Sequence, residues 1–142
     1  MVGVDRDIGH ARGNVAGLGV LLIDADLEAG GLFPFPAASF DGVVVTNYLW
    51  RPILPAIVGS VASNGVLIYE TFALGNAAFG RPSNPAFLLR PGELLAATAN
   101  QLCVVAFEHG RLTEPDRIVQ RIVAVGCGHP WATGGGSVLP ND

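Results

Sequence analysis

Strand-like and helix-like runs alternate along this chain up to residue 102, and then two strands follow with no helix between them. That order leaves few folds open. A strand, a helix and another strand in succession make a unit with parallel strands, whereas two strands joined by a turn are antiparallel. The expectation is an α/β fold with a mostly parallel sheet and an antiparallel strand at one edge. Half of the 142 residues are hydrophobic and 14% are charged. That composition suits strands covered on both faces. Glycine, proline or a charge interrupts every apolar run before the ~18 residues that a membrane span needs.

The first strand is Val2–Asp5, and Asp7 is placed to cap a short helix with Ile8, Ala11 and Val15 on one face. Gly9, Gly13 and Gly17 recur along that helix, each costing ~1 kcal/mol relative to alanine. A second strand follows at 19–23, then Asp24 to Glu28 and a Gly/Pro loop to Ser39. Phe40–Thr46 is the third strand, rich in β-branched residues. Pro52 and Pro55 open a helix to about Ala62, closed by Ser63-Asn64-Gly65. The fourth strand covers 66–72, and a long loop, 73–90, leads to a helix from near Pro91 to about Ala99. Loops of that length in compact domains tend to be functional. Strands at 102–108 and Arg117–Val125 form the terminal hairpin, and 127–142 reads as a flexible tail beyond a domain covering 1–126.

Charge and cysteine usage narrow the function classes. The net charge is −4, and all eight cations are arginines scattered along the chain, so there is no footprint for a nucleic-acid backbone. The start carries Asp5, Arg6 and Asp7 and not a basic segment followed by an apolar one, so no signal peptide is expected and the expected compartment is the cytoplasm. Cys103 and Cys127 form no CxxC pair and are expected to be free thiols, one of them buried. His10, His109 and His129 fall on separate segments, and Cys127-Gly128-His129 offers too few ligands for zinc. No metal is expected.

An acidic residue ending an early strand, as Asp5 does, is placed to accept ribose hydroxyls, or else to cap the next helix. A nicotinamide enzyme uses such a residue in the same way. Asp26 follows the second strand, and Asn47, Tyr48 and Trp50 follow the third. Tyr48 and Trp50 suit the core as well as a site. Glu70 follows the apolar part of its strand, where it is either a site carboxylate or a hydrogen-bonded strand terminus. Arg81 sits in the long loop, either to hold an anionic acceptor or as a surface residue.

Taken together, Val4-Asp5-Arg6-Asp7, Ala25-Asp26-Leu27-Glu28, the run from Phe40 to Leu49, the loop from Asn76 to Pro85 and the stretch from Phe87 to Leu94 resemble the class I S-adenosylmethionine-dependent methyltransferases. The resemblance is closest to the tellurite-resistance methyltransferase-like group and covers residues 2 to about 125. It implies a Rossmann-like sheet ending in an antiparallel hairpin, with S-adenosylmethionine as cofactor and a small molecule as methyl acceptor. On the same resemblance, Asp5 holds the ribose, and Asp26 and the backbone of Leu27 meet the adenine. Asn47 and Tyr48 lie near the sulfonium, while Arg81 and Glu70 serve the acceptor. Methyl transfer needs alignment and desolvation and no covalent nucleophile.

The family's first strand and glycine-rich turn, a unit of roughly 30 residues, have no counterpart here. Gly17-Leu18-Gly19 precedes a strand and does not replace that turn. The expectation is a truncated domain with an impaired cofactor site and with open strand edges that favour homo-oligomers. Two other readings stand beside it: a non-catalytic remnant that binds a partner, and a fragment of a nicotinamide-dependent oxidoreductase.

Overall fold

A computed structural model describes residues 1–134, which divide into two compact units, Met1–Pro34 and the chain from Phe35 onward. The part of the expected tail that covers 135–142 lies outside the described residues. No helix among the described residues is long and apolar enough to cross a membrane.

The first unit is one strand–helix–strand crossover. β1 (Val2–Asp5) and β2 (Leu21–Asp24) pair in parallel, with Val2 opposite Leu21 and Asp5 opposite Asp24. The connection holds α1 (Gly9–Asn14). The Asp7 carboxylate accepts the Gly9 N–H at 3.0 Å just ahead of the helix. This supplies a partner for one of the backbone donors that a helix start leaves unpaired. Ile8 is buried, while Ala11 and Val15 are half-buried, so the expected apolar face is the one turned inward.

The second unit holds a four-stranded sheet in the order β3-β4-β6-β5. β3 is Phe40–Thr46, β4 Val61–Phe72, β5 Cys103–Leu112 and β6 Arg117–Val125. β3 and β4 are parallel, and β6 runs antiparallel to both β4 and β5. β3, β4 and β5 therefore share one direction and β6 alone opposes it, as the missing helix between the last two strands requires. The expected position of the reversed strand is corrected: β6 lies inside the sheet and β5 takes the edge. The hairpin turn lays β6 against β5, and the other rim of β6 then receives β4.

α2 (Leu54–Gly59), entered through a 3-10 turn at Arg51–Ile53, and α3 (Glu93–Thr98) complete the unit. The core joins Leu54, Ile57, Val58 and Leu94 of these helices to Leu67 and Tyr69 of β4 and Ile122 and Ala124 of β6, all buried. On the other face Val44, Ile68, Val123 and Ala106 lie in one row across the sheet. Val44 is 69% exposed and Ile68 47%.

The sequence places the end of the second helix too late. α2 stops at Gly59 because the N–H of Ala38 bonds the Gly59 carbonyl at 2.8 Å, and the N–H groups of Ser39 and Phe40 take that of Ser60. Backbone leading into β3 thus captures the carbonyls a longer helix would use, and β4 begins at once with Val61. Residues 63–65, expected as a helix cap, instead belong to β4. There the register steps from Phe40 opposite Val61 to Gly42 opposite Val66. A β-carbon on Gly65 would stand 2.8 Å from the Phe40 carbonyl oxygen, so only glycine fits this step.

Beyond β6 the chain stays attached as far as it is described. The N–H groups of Gly126 and Gly128 bond the carbonyls of Gly65 and Ser63, each at 2.9 Å, and Pro130–Thr133 forms a 3-10 turn. A β-carbon on Gly126 would come within 2.2 Å of the Ser63 carbonyl oxygen.

Candidate functional site

In open α/β sheets, ligands bind beyond the carboxyl ends of the parallel strands. In the first unit that end carries Asp5 and, past β2, Asp26. The structure brings these two residues to neighbouring strand ends: Asp5 is opposite Asp24, and the N–H of Ala25 bonds the Asp5 carbonyl at 3.0 Å. Both carboxylates are exposed. In each, Oδ1 is already engaged, by the N–H of Asp7 at 3.0 Å for Asp5 and by that of Glu28 at 2.9 Å for Asp26. Such local turns fix the carboxyl plane and leave Oδ2 to accept further donors. Capping and ligand binding are therefore compatible roles for one side chain. A ligand with hydroxyl or amino donors would meet carboxylate acceptors at these strand ends. Leu27, whose backbone was expected against the adenine, is half-buried beside Asp26.

The first unit also has a shallow hollow of about 320 Å³, lined by Ile8, Arg12, Val15, Ala16, Gly17, Gly19, Val20 and Leu22. None of the residues chosen from the sequence lines it.

In the second unit the carboxyl end of β3 carries Asn47 and Tyr48. Asn47 has a φ of +53°, a conformation that asparagine adopts more readily than most residues. Its N–H bonds the Glu70 carbonyl at 3.0 Å, which ends the β3–β4 ladder. The chain then turns, and Tyr48 is half-buried while Leu49 is fully buried. The Tyr69 hydroxyl donates to the Tyr48 carbonyl at 2.7 Å and fixes that turn from the core. Burial, with Tyr48 and Glu93 nearby, pushes the Tyr69 phenol well above its ordinary range, so it stays a donor at all physiological pH values.

The other two sequence choices sit apart in character. Glu70 is half-buried on the exposed sheet face, with its carboxylate 3.6 Å from Arg121, which also pairs with Glu108. The structure thus commits the Glu70 side chain to a cross-strand charge row and its backbone to the end of β3. Arg81 is exposed in the long loop, ahead of a cis proline, Pro82.

That loop is held by residues that sequence reasoning did not single out. Arg51 clasps it to α3: its guanidinium bonds both Glu93 carboxylate oxygens at 2.7 and 3.0 Å and the carbonyls of Ala86 and Leu88 at 2.6 and 3.0 Å. Such forked, charge-assisted pairing is directional and strong. Glu93 also accepts the Arg90 N–H at 2.8 Å. Burial alone would raise the Glu93 carboxyl, but the bonds from Arg51 and Arg90 outweigh it and hold it below its usual range. Asn76, fully buried, donates to the Pro82 carbonyl at 3.0 Å and accepts the Ile118 N–H at 3.1 Å. Gln120, also buried, donates to the Arg90 carbonyl at 2.5 Å and accepts the Leu94 N–H at 3.4 Å. For Gln120 a signal existed: a lone amide on the inward row of an apolar strand.

Among the described residues no group of three or more His, Cys, Asp or Glu side chains is placed to hold a metal ion. Neither cysteine is buried: Cys103 is half-buried and Cys127 exposed, which corrects the expected burial of one thiol. Cys103 opens an edge strand of the sheet.

No protein-family profile and no curated protein sequence matches the chain. Solved structures do match it. A SAM-dependent methyltransferase from Methanosarcina mazei is 14% identical with a TM-score of 0.63, over 88% of this chain and 81% of that one. The N-methyltransferase NodS from Bradyrhizobium japonicum WM9 is 15% identical with a TM-score of 0.64, over 88% and 72%. TehB from Haemophilus influenzae is 14% identical with a TM-score of 0.60, over 88% of this chain and 49% of that one. At such identities the likeness is one of fold: the chain has the α/β fold of the class I S-adenosylmethionine-dependent methyltransferases.

Proposed function

We propose that this chain acts in S-adenosylmethionine-dependent methyl transfer to a small acceptor. The observation that carries the reading is Asp5, an exposed carboxylate at the carboxyl end of a parallel strand, with one oxygen held by its own turn and the other free to accept. In this reading Oδ2 of Asp5 takes the ribose hydroxyls, and Asp26 with the backbone of Leu27 takes the adenine edge. The candidates of the second unit, Asn47, Tyr48 and Arg81, form a separate set, in which the Glu70 carbonyl sets the backbone of Asn47. The cofactor supplies an activated methyl carbon, so the protein has to align the partners and exclude water.

The test is calorimetric titration of the whole chain with S-adenosylmethionine and with S-adenosylhomocysteine. Weak saturable binding is expected, in keeping with an impaired cofactor site, and Asp5→Ala should weaken it about tenfold further through loss of a charge-assisted hydrogen bond. NADH should not compete. Absence of saturable binding, or equal binding by Asp5→Ala, overturns the reading. Preference for NADH would favour the oxidoreductase alternative, in which the same carboxylate serves a different nucleotide.

A further inference from the structure

Cys103 opens β5 directly opposite Val125, the last residue of β6. Cys127 follows two residues later, after Gly126 has bonded the Gly65 carbonyl. Cys127 thus follows the register partner of Cys103 by two positions. The Cys127 Sγ points back across the hairpin and donates to the Gln101 carbonyl at 3.8 Å, two residues ahead of Cys103. The Cys127 sulfur thus lies beside the backbone that leads into Cys103. One is exposed and the other half-buried, so an oxidant can reach the first while the second waits beside it.

We propose that Cys103 and Cys127 are a thiol–disulfide pair that, when oxidised, fastens the segment after β6 to the start of β5. With a small-molecule disulfide such as oxidised glutathione as oxidant, the exposed Cys127 thiolate attacks one sulfur and releases a first glutathione thiol. The Cys103 thiolate then attacks the Cys127 sulfur of the mixed disulfide and releases a second. The protein loses two protons and two electrons, and the glutathione disulfide gains them. Burial and the neighbouring Cys127 hold the Cys103 thiol above its ordinary range, so the exposed Cys127 is the thiol that meets the oxidant first. Closure turns the β5–β6 hairpin into a covalent ring and restricts the unfolded chain. It also secures the contact of Gly126 and Gly128 with the end of β4 that backbone bonds already make.

The experiment is incubation of the full chain with oxidised or reduced glutathione, followed by alkylation under denaturing conditions, intact-mass analysis and a melting curve. The expected product is a monomer that has lost two hydrogens, takes up no alkylating agent and melts about 5 °C or more above the reduced form. Cys103→Ser should stop at one bound glutathione on Cys127 with no such rise. Cys127→Ser should react more slowly. Both variants should melt with the reduced parent, showing that the fold is intact. Two alkylatable thiols after oxidation, a persistent mixed disulfide in the parent, or a disulfide-linked dimer overturns the proposal.

Discussion

Arg51 and Glu93 show how one ion pair can organise a loop. Four hydrogen bonds from one guanidinium tie the entry to α2, the loop before α3 and the first turn of α3 together. Removing one partner leaves the other part-buried and unpaired, which costs more than the pair contributes. Glu93→Gln is expected to lower stability by about 2 kcal/mol at neutral pH. Because the Glu93 carboxyl titrates below its usual value in the fold, its contribution is fully present above the unfolded pKa, near 4.5, and is lost as pH falls through the folded one. The gap in melting temperature between the parent and Glu93→Gln should therefore be full at pH 7 and narrow toward pH 3. A gap that stays constant with pH would show that the charge is irrelevant. None of this was legible beforehand, since Arg51 and Glu93 are 42 positions apart and only the packed fold makes them neighbours. The place of Asp5 at a strand end was legible because it depends only on its own strand and the turn that follows.

Elements were readable where the pattern was local. Arg117–Val125 alternates cleanly and is a strand over those same residues. The end of α2 was not readable, because backbone approaching from residues 38–40 decides it. The position of β6 inside the sheet was also hidden: hairpin geometry names one neighbour of a strand and leaves the other to tertiary packing. β3 lies at the edge of its sheet, with Val44 and Ile68 side by side on the exposed face. Exposed apolar edges invite pairing with other chains, and an edge lysine opposes it. Val44→Lys is expected to reduce concentration-dependent self-association in light scattering, with little change in melting temperature because Val44 touches no core. Equal scattering by the parent and the variant would locate association elsewhere.

Stability across the whole molecule should be uneven. In the first unit Ile8 is the single buried hydrophobic side chain among the described residues, whereas the second buries both helices against β4 and β6. Local opening follows the amount of buried apolar contact. Amides of β1 and β2 should exchange with deuterium ~100-fold or more faster than those of β4 and β6. Similar protection in all four strands would mean that the first crossover is held as firmly as the second unit. The outer rim of β3 matters here in one more way. A rim that accepts a foreign strand does not consume itself, because every strand added brings its own unused side. Storage time and protein concentration would then select between a dispersed preparation and a growing fibre, with no change inside either folded unit.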